Sequence, residues 1–289
     1  MKKPEVLRVY EALKEQGKTA IGAAANGDLI GELFARSQDL LAPLDHVPLV
    51  SRVDGKTYFA FRHAKKMSRA VNAGLFLVGD SGWERLQAAM SRGNLSGLSP
   101  HEITRTLYTM AISVCAAVDI LKDGDQKTPG TFFEYFIGYF FTWRVGVEPE
   151  SSIQIMNVDD KDTRLPTDFV YNLGPGKQKF HMPIKTSTRE RSIMLWAHQR
   201  LLDGVYGIER FMGTPVLLAE TKTDKKTREV VEICLADQWQ VYQSYIAKLK
   251  RVYYLDLPAA YDRLNRDFPP LRVKEFGEFF FEWADLAPA

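Results

Sequence analysis

The stretch "TFFEYFIGYFFTWRVG", residues 131 to 146, most strongly constrains how this chain can fold. Eight of its sixteen residues are aromatic, so it is predicted to form a helix that is packed into a core over most of its circumference. Glu134 is its only acid. Because a buried carboxylate is costly unless it is paired, binds a metal or reaches an edge, Glu134 lies either on an exposed stripe or in a polar cleft.

The composition predicts a soluble globular protein of one large domain or two closely packed domains, with 289 residues of which 45% are hydrophobic and 26% charged. The formal net charge is only +2, so any nucleic-acid binding must use locally concentrated basic residues. Cys115 and Cys234 lie in apolar runs and are predicted to be reduced core residues. The amphipathic start and the lack of a long apolar run predict a cytoplasmic protein without a membrane partner.

Residues 1–122 are predicted to be mainly helical, with one β-hairpin. The hairpin centres on Asp54-Gly55, because alternating residues flank this turn-forming pair in "PLVSRVDGKTYFAF". Ser99 and Glu102 have the spacing of a capping box, with a proline at the first helical position, so a long buried helix is expected to follow. Apolar spacing also predicts helices over residues of about 4–16 and 28–41.

Residues 123–289 alternate between helices and strands as an α/β protein does. After the aromatic helix, "RLPTDFVYNL" and "QKFHMPIKTS" are predicted to be two strands joined at Gly174-Pro175-Gly176. A helix at about 192–202, strands in "TPVLLAET" and "REVVEICL", and a helix at about 237–250 follow. The order predicts an α/β core over residues 123–289 that is wrapped by the helical N-terminal region.

Three residues in this core have side chains that suit phosphodiester hydrolysis. Asp168 in the first strand and Lys185 near the end of the second are 17 positions apart, so antiparallel pairing could bring them together. Such a pair is usually only a surface ion pair worth under about 1 kcal/mol. Glu134 on the preceding helix supplies a second carboxylate, and carboxylates hold Mg²⁺ because it is a hard cation. Metal and lysine together can activate water and stabilise the charge on phosphorus.

Asp168, Lys185 and the preceding helix with Glu134 resemble the PD-(D/E)XK nuclease core, over about residues 130 to 221. The segment "KTSTRER", residues 185 to 191, is similar to the type II restriction endonucleases that recognise CCGG, or CC and GG with a spacer. In that group an R-(D/E)-R cluster follows the catalytic lysine. The resemblance implies a mixed central sheet flanked by helices, Mg²⁺ as cofactor, cleavage of double-stranded DNA at a CC/GG palindrome, and a homodimer.

One motif position departs from the family pattern. The acid expected two residues before the lysine is Pro183 here, which cannot bind metal. The resemblance then implies a migrated acid 13 or 14 residues after the lysine, and position 199 is Gln199. A glutamine can coordinate or orient a water without supplying charge. Glu134 is therefore the stronger choice for the second metal-site acid, and Asp203 is a weaker one.

By resemblance, Arg189, Glu190 and Arg191 read the bases of the half-site. Arginine can donate two hydrogen bonds to guanine and glutamate can accept one from cytosine in the major groove. The alternative is a charged first turn of a helix that only faces solvent. Local basic charge also favours DNA, and the residues expected to contact the DNA backbone are Lys177, Lys179, Arg62 and Lys65, although a solvated surface is the alternative for the last two.

Two other functions stay open from the sequence. A sequence-nonspecific or structure-specific DNA nuclease could use the same core, and it would cleave without a fixed target. A catalytically inactive DNA-binding protein is also conceivable, because Pro183 and Gln199 occupy the positions where an acid is expected. That protein would bind DNA without cutting it when Mg²⁺ is added.

Overall fold

The computed structural model describes residues 4–79, 82–155, 163–224 and 226–286. Both helices and short strands occur throughout these ranges, as expected for a mixed α/β protein. The helices are α1 (Glu5–Gly17), α2 (Ala24–Leu41), α3 (Trp83–Ser91), α4 (Pro100–Leu121), α5 (Lys127–Val145), α6 (Ile193–Tyr206), α7 (Ala236–Tyr245), α8 (Ala259–Asp267) and α9 (Phe276–Leu286). The strands are β1 (Asp45–Pro48), β2 (Val50–Ser51), β3 (Tyr58–His63), β4 (Lys66–Met67), β5 (Val71–Asn72), β6 (Glu150–Ile155), β7 (Thr163–Asn172), β8 (Lys179–Met182), β9 (Ile184–Lys185), β10 (Phe211–Gly213), β11 (Val216–Leu217), β12 (Thr221–Thr223), β13 (Glu229–Glu232), β14 (Val252–Tyr254) and β15 (Val273–Glu275).

The central sheet consists of two four-stranded sheets that are joined where β8 continues into β9. Their strand orders are β6-β7-β8-β10 and β9-β11-β14-β15. The chain passes from β8 to β9 through Pro183, and across this junction the Thr214 N–H donates to the His181 carbonyl at 2.8 Å and the Val216 N–H donates to the Pro183 carbonyl at 2.9 Å. Strands β6, β7 and β8 pair antiparallel. The β8–β10 pair and all the pairs of the β9-β11-β14-β15 sheet are parallel. The sheet is therefore mixed, as predicted.

Helices cover both faces of this sheet. On one face, Phe141 of α5 lies 4.6 Å from Tyr171 and 5.3 Å from Phe180, measured between ring centroids. On the other face, Leu202 of α6 belongs to a cluster with Val170 and other strand residues. The aromatic helix is buried as its sequence predicts, and the mixed sheet flanked by helices confirms the predicted α/β class.

The N-terminal region is built around α4, which packs against α2 and α9. The predicted capping box is present, with Ser99 and Glu102 exchanging hydrogen bonds at the start of α4. This helix is long and apolar enough to cross a membrane, but 89% of its most apolar window is buried within the protein, which is typical of a core helix. One hydrophobic cluster contains residues of both α4 and α5, and the domain boundary at residue 122 stays a prediction.

The predicted hairpin is also present, and it has a second role. Strands β1 and β3 pair antiparallel on either side of the Asp54-Gly55 turn. Strand β2 pairs with β13 from the C-terminal half, so the hairpin also joins a small three-stranded sheet of order β12-β13-β2. This pairing brings the N-terminal region alongside the central sheet.

Three element boundaries differ from the sequence predictions. Strand β11 is only two residues long because the chain then turns toward the loop that follows Lys185, with the Ala219 N–H donating to the Thr186 carbonyl. The helix expected to reach residue 250 ends at Tyr245, since Leu249 bridges to Gly213 beside the sheet. The Arg189–Arg191 segment forms a short 3-10 turn directly before α6 instead of the first turn of the helix itself.

Candidate active site

Asp168 lies in an irregular segment of β7. Opposite it, Glu150 pairs with Val170 while Ser152 pairs with Pro166, so β7 contains extra residues between these two pairs. A bulge of this kind bends a strand and changes the direction of its side chains. It places the Asp168 carboxylate at the point where β8 gives way to β9.

The structure brings Asp168 and Lys185 together. The Oδ2 atom of Asp168 accepts a hydrogen bond of 2.7 Å from Nζ of Lys185 and another of 2.7 Å from the N–H of Ile184. The Asp168 side chain is 18% exposed and that of Lys185 is 46% exposed. The carboxylate is therefore fixed by two donors, while the ammonium keeps much of its surface open to a bound molecule.

Glu134 faces this pair instead of an exposed stripe of α5. Its side chain is half-buried, and its pKa is raised to about 7, first of all by burial. The negative charge of Asp168 contributes to this rise, whereas the positive charge of Lys185 opposes it. Because these charges act on Glu134 through space, the two acids and the lysine predicted from sequence share one electrostatic environment.

The donor set fits a magnesium ion. The negative charge of Asp168 opposes the ionisation of Glu134, and a divalent cation beside both carboxylates would relieve that repulsion. In the described part of the chain, no group of three or more His, Cys, Asp or Glu side chains is arranged to hold a metal. Mg²⁺ commonly binds one or two carboxylates and completes its shell with water and other oxygens, so a pair of carboxylates is a sufficient side-chain donor set for this ion.

Gln199 and Asp203 are directed elsewhere. The side-chain N–H₂ of Gln199 donates to the carbonyl of Phe211 on β10 at 2.9 Å and to Oδ1 of Asp203 at 2.8 Å. Burial raises the pKa of Asp203. The donor of Gln199 is thus used to attach α6 to the sheet, and Pro183 is buried in the sheet between β8 and β9.

Two histidines lie behind the Asp168 segment. His181 is fully buried, and its Nε2 lies 2.9 Å from the hydroxyl oxygen of Thr167. Its ring centroid is 6.0 Å from that of His198 on α6. The pKa of His181 is lowered to about 3, first of all by burial and also by the neighbouring His198. His181 is therefore a neutral structural residue that supports the strand beside Asp168.

Arg189, Glu190 and Arg191 are all exposed in the 3-10 turn that follows Lys185. Arg189 has a φ of 45°, a left-handed conformation that is uncommon for a residue with a long side chain. It also lines a cavity of about 220 Å³ between this turn and the N-terminal region, where Arg69 and Asp119 form an ion pair of 2.8 Å.

The four residues expected to contact the DNA backbone lie in two hairpins, β7–β8 and β3–β4. Lys177 is in the turn between β7 and β8, and Lys179 lies 6.0 Å from the ring of Phe211. Lys179 and Lys185 are six positions apart along extended chain, a distance of roughly 20 Å. Arg62 pairs with Asp45 at 2.8 Å, and Lys65 is exposed in the turn after β3.

Glu220 is a residue of this region that the sequence patterns did not reveal. Its side chain is fully buried, and its carboxylate accepts hydrogen bonds from Ser187, Thr188 and Arg189 of the loop after Lys185. It is an acid in the apolar run "TPVLLAET". Because a buried carboxylate needs hydrogen-bond partners, an acid within an apolar run was the sequence signal that could have drawn attention to Glu220.

The fold matches that of a solved nuclease. The protein described as "Crystal structure of Type IIP restriction endonuclease Kpn2I" superposes with a TM-score of 0.81 and 23% identity, covering 98% of this chain and 97% of that chain. The chain has the fold of a type IIP restriction endonuclease. A second structure, "Restriction endonuclease PspGI-substrate DNA complex", has a TM-score of 0.44 and 11% identity over 99% of this chain and 95% of that chain. No protein-family model and no curated protein matches the sequence.

The structural likeness extends well beyond the segment that the sequence motifs marked. The motifs resembled a nuclease core over about residues 130 to 221, whereas the restriction-endonuclease fold of Kpn2I covers nearly the whole chain. The helical N-terminal region is therefore part of that fold. Sequence motifs missed it because α1 to α4 are defined by their packing against one another.

Proposed function

We propose that this protein is a Mg²⁺-dependent type II restriction endonuclease that cleaves double-stranded DNA at a palindrome containing CC/GG, such as CCGG. The observation that carries the proposal is the 2.7 Å contact of Lys185 with Asp168 beside Glu134, directly before the exposed Arg189–Arg191 turn. Groups suited to cleavage and groups suited to base recognition are thus separated by a few residues of one chain segment.

Asp168 and Glu134 would hold the metal, which when bound activates a water and neutralises charge on the scissile phosphate. Lys185 has a different task. Its ammonium is oriented by Asp168 and 46% exposed, so it can donate to a phosphate oxygen or to the attacking water. Glu134, with a pKa of about 7 in the absence of metal, would give up its proton on taking up Mg²⁺.

The base-reading role falls to the exposed turn. Arg189 and Arg191 can each donate a pair of hydrogen bonds to O6 and N7 of guanine, and Glu190 can accept from N4 of cytosine. These contacts suit adjacent G·C pairs. The turn is four residues from Lys185, so binding of the correct bases would position the phosphate for cleavage.

A palindromic target favours a two-fold symmetric dimer. Each subunit of a homodimer would place one Arg189–Arg191 turn and one Asp168–Lys185 pair on one half-site. The +2 net charge of the whole chain means that the DNA-facing surface must be locally basic, and Lys177, Lys179, Arg62 and Lys65 are proposed to contribute backbone contacts. The cytoplasm is the compartment in which such an enzyme would meet DNA.

One observation favours a second function, that of a catalytically inactive DNA-binding protein. The motif acid is replaced by Pro183, and the side-chain donor of Gln199 is engaged with Phe211 and Asp203. Under this alternative, Asp168 and Lys185 would form a structural ion pair only. The protein would then bind DNA through the Arg189–Arg191 turn and leave the DNA uncut.

Digestion of a long, fully sequenced DNA with the purified protein, with and without Mg²⁺, tests the proposal. Sequencing of the ends should give discrete cuts that share a CC/GG palindrome, and these should vanish without Mg²⁺ and in Lys185→Ala. Random ends that are lost in the same variant would indicate a nonspecific nuclease on the same core. Intact DNA together with measurable binding would indicate the inactive binding protein.

A further inference from the structure

The Glu220 carboxylate is surrounded by hydrogen-bond donors from the loop that joins Lys185 to the Arg189–Arg191 turn. It follows β11, the strand that pairs in parallel with β9 and therefore lies beside Lys185. Its donors are the Ser187 hydroxyl at 2.8 Å, the Thr188 N–H at 3.1 Å, the Thr188 hydroxyl at 2.7 Å, the Arg189 N–H at 2.8 Å and the Tyr254 hydroxyl at 3.0 Å.

These contacts make Glu220 more than a residue that fills the core. A fully buried carboxylate is strongly destabilising unless donors surround it, and four of its five donors come from three consecutive loop residues. Only the Tyr254 hydroxyl belongs to the sheet. Most of the hydrogen bonding of this acid is therefore directed to the shape of the loop.

The loop backbone requires such support. Arg189 has a φ of 45°, and non-glycine residues in this region persist only when surrounding structure holds them there. The N–H of Arg189 donates to Glu220, while at the start of the loop the Leu218 N–H donates to the carbonyl of Lys185 and the Ala219 N–H donates to that of Thr186. One short segment, residues 218 to 220, thus binds the loop at both ends.

We propose that Glu220 is a positioning residue for sequence recognition. It fixes the direction in which the Arg189–Arg191 turn leaves the sheet relative to Lys185, and thereby couples base recognition to cleavage. This role rests on the proposed endonuclease function. A glutamine at this position keeps one acceptor oxygen but turns an N–H₂ group toward the loop N–H donors, so the turn cannot keep its geometry.

The test compares Glu220→Gln with Tyr254→Phe. Both remove hydrogen bonding from the same buried group, but Tyr254→Phe leaves the four loop donors in place. We expect Glu220→Gln to lower the ratio of cleavage rates at the target and at singly substituted sites by at least about tenfold, the size of one lost base contact. Tyr254→Phe should lower Tm and leave that ratio unchanged. An unchanged ratio in Glu220→Gln, with Tm lowered as in Tyr254→Phe, overturns the proposal.

Two further measurements keep the test decisive. If Glu220→Gln does not fold, Thr188→Val and Ser187→Ala remove loop donors from the other side and should lower the same ratio. If the wild-type protein does not cut at discrete sites, the proposed function fails, and hydrogen exchange then tests positioning alone. The amides of Thr188 and Arg189 should exchange at least about tenfold faster in Glu220→Gln than in Tyr254→Phe, and equal exchange in the two variants overturns the role.

Discussion

The ammonium of Lys185 lies 2.7 Å from Oδ2 of Asp168, the same oxygen that accepts the N–H of Ile184. The carboxylate is thus held by backbone and side chain of one strand, β9, across from the bulge in β7. Its other oxygen is not used in these two bonds. The arrangement leaves the second Asp168 oxygen outside these two bonds and fixes the lysine next to the carboxylate.

The first prediction concerns this pair. Lys185→Ala should lower the cleavage rate by about 10²–10³-fold, as expected for removing a charge-stabilising donor, while DNA binding persists. The exposed position of Lys185 means that stability should change by less than about 1 kcal/mol. Cleavage kinetics, gel-shift binding and a thermal melt measure the three quantities, and Lys248→Ala, at an exposed position after α7, is a control of the same chemistry. Full activity in Lys185→Ala would assign the pair to structure alone.

The second prediction tests Glu134 as a metal ligand. Glu134→Gln removes a carboxylate from the site and also the like charge opposite Asp168. The Mg²⁺ concentration needed for half-maximal cleavage should therefore rise at least about tenfold, and direct Mg²⁺ binding by calorimetry should weaken in parallel. Gln199→Ala is the comparison, because its side-chain donor is engaged with Phe211 and Asp203. A larger loss of Mg²⁺ affinity in Gln199→Ala would move the second ligand to α6.

The third prediction tests base reading. Glu190→Ala should lose discrimination at one cytosine of the target by about 1–3 kcal/mol, with cleavage at other substituted positions affected little. Cleavage rates on a set of singly substituted duplexes measure this. Asp237→Ala, an exposed acid on α7, is the control for a simple gain of net positive charge. If both variants change the cleavage rates of all duplexes by the same factor, Glu190 acts only through its charge.

Sequence patterns were sufficient for features that depend on local spacing. The turn residues Gly174-Pro175-Gly176 between two strand-like stretches predicted the β7–β8 hairpin, and this hairpin brings Asp168 to Lys185 across 17 positions. The capping residues Ser99 and Glu102 predicted the start of α4. In each case the physical determinant is contained in one short stretch of chain.

Contacts between distant strands were not predictable in this way. Glu220 reaches Thr188 over 32 positions, because β9 and β11 are parallel neighbours, and no local pattern encodes that pairing. The same limit applies to Gln199. Its place on the helix after Lys185 follows from spacing, but the direction of its amide is set by packing of α6 against Phe211.

The fourth prediction is a pH dependence of stability caused by His181. Its pKa is about 3 in the folded protein and near 6.5 in the unfolded chain. The unfolded state therefore binds the extra proton below pH 6.5, and the free energy of unfolding falls as pH falls, by about 2 kcal/mol at pH 5 from this group. The free energy of unfolding can be measured by urea denaturation at pH 7, 6 and 5. Its decrease with falling pH should be smaller in His181→Leu than in the wild type, and unchanged in His63→Gln, a variant at an exposed histidine. Parallel slopes in all three proteins would contradict the assignment.

The fifth prediction concerns the buried ion network between the hairpin and the central sheet. Nζ of Lys56 lies 2.6 Å from both Glu232 and Asp256, and the lysine side chain is only 14% exposed. Lys56→Met leaves two buried carboxylates without their cation and should lower the free energy of unfolding by about 3–5 kcal/mol. Arg52→Ala removes an exposed ion pair with Glu229 from the same hairpin segment, and should cost under about 1 kcal/mol.

Chemical denaturation of both variants measures this difference directly. Because β2 and β13 pair across the same junction, Lys56→Met should also increase hydrogen exchange in both strands, whereas Arg52→Ala should not. Equal decreases in the free energy of unfolding for the two variants would mean that the buried network contributes no more to stability than a surface ion pair. The N-terminal hairpin would then be held to the central sheet by its strand pairing and by the packing of Tyr58 and Val230.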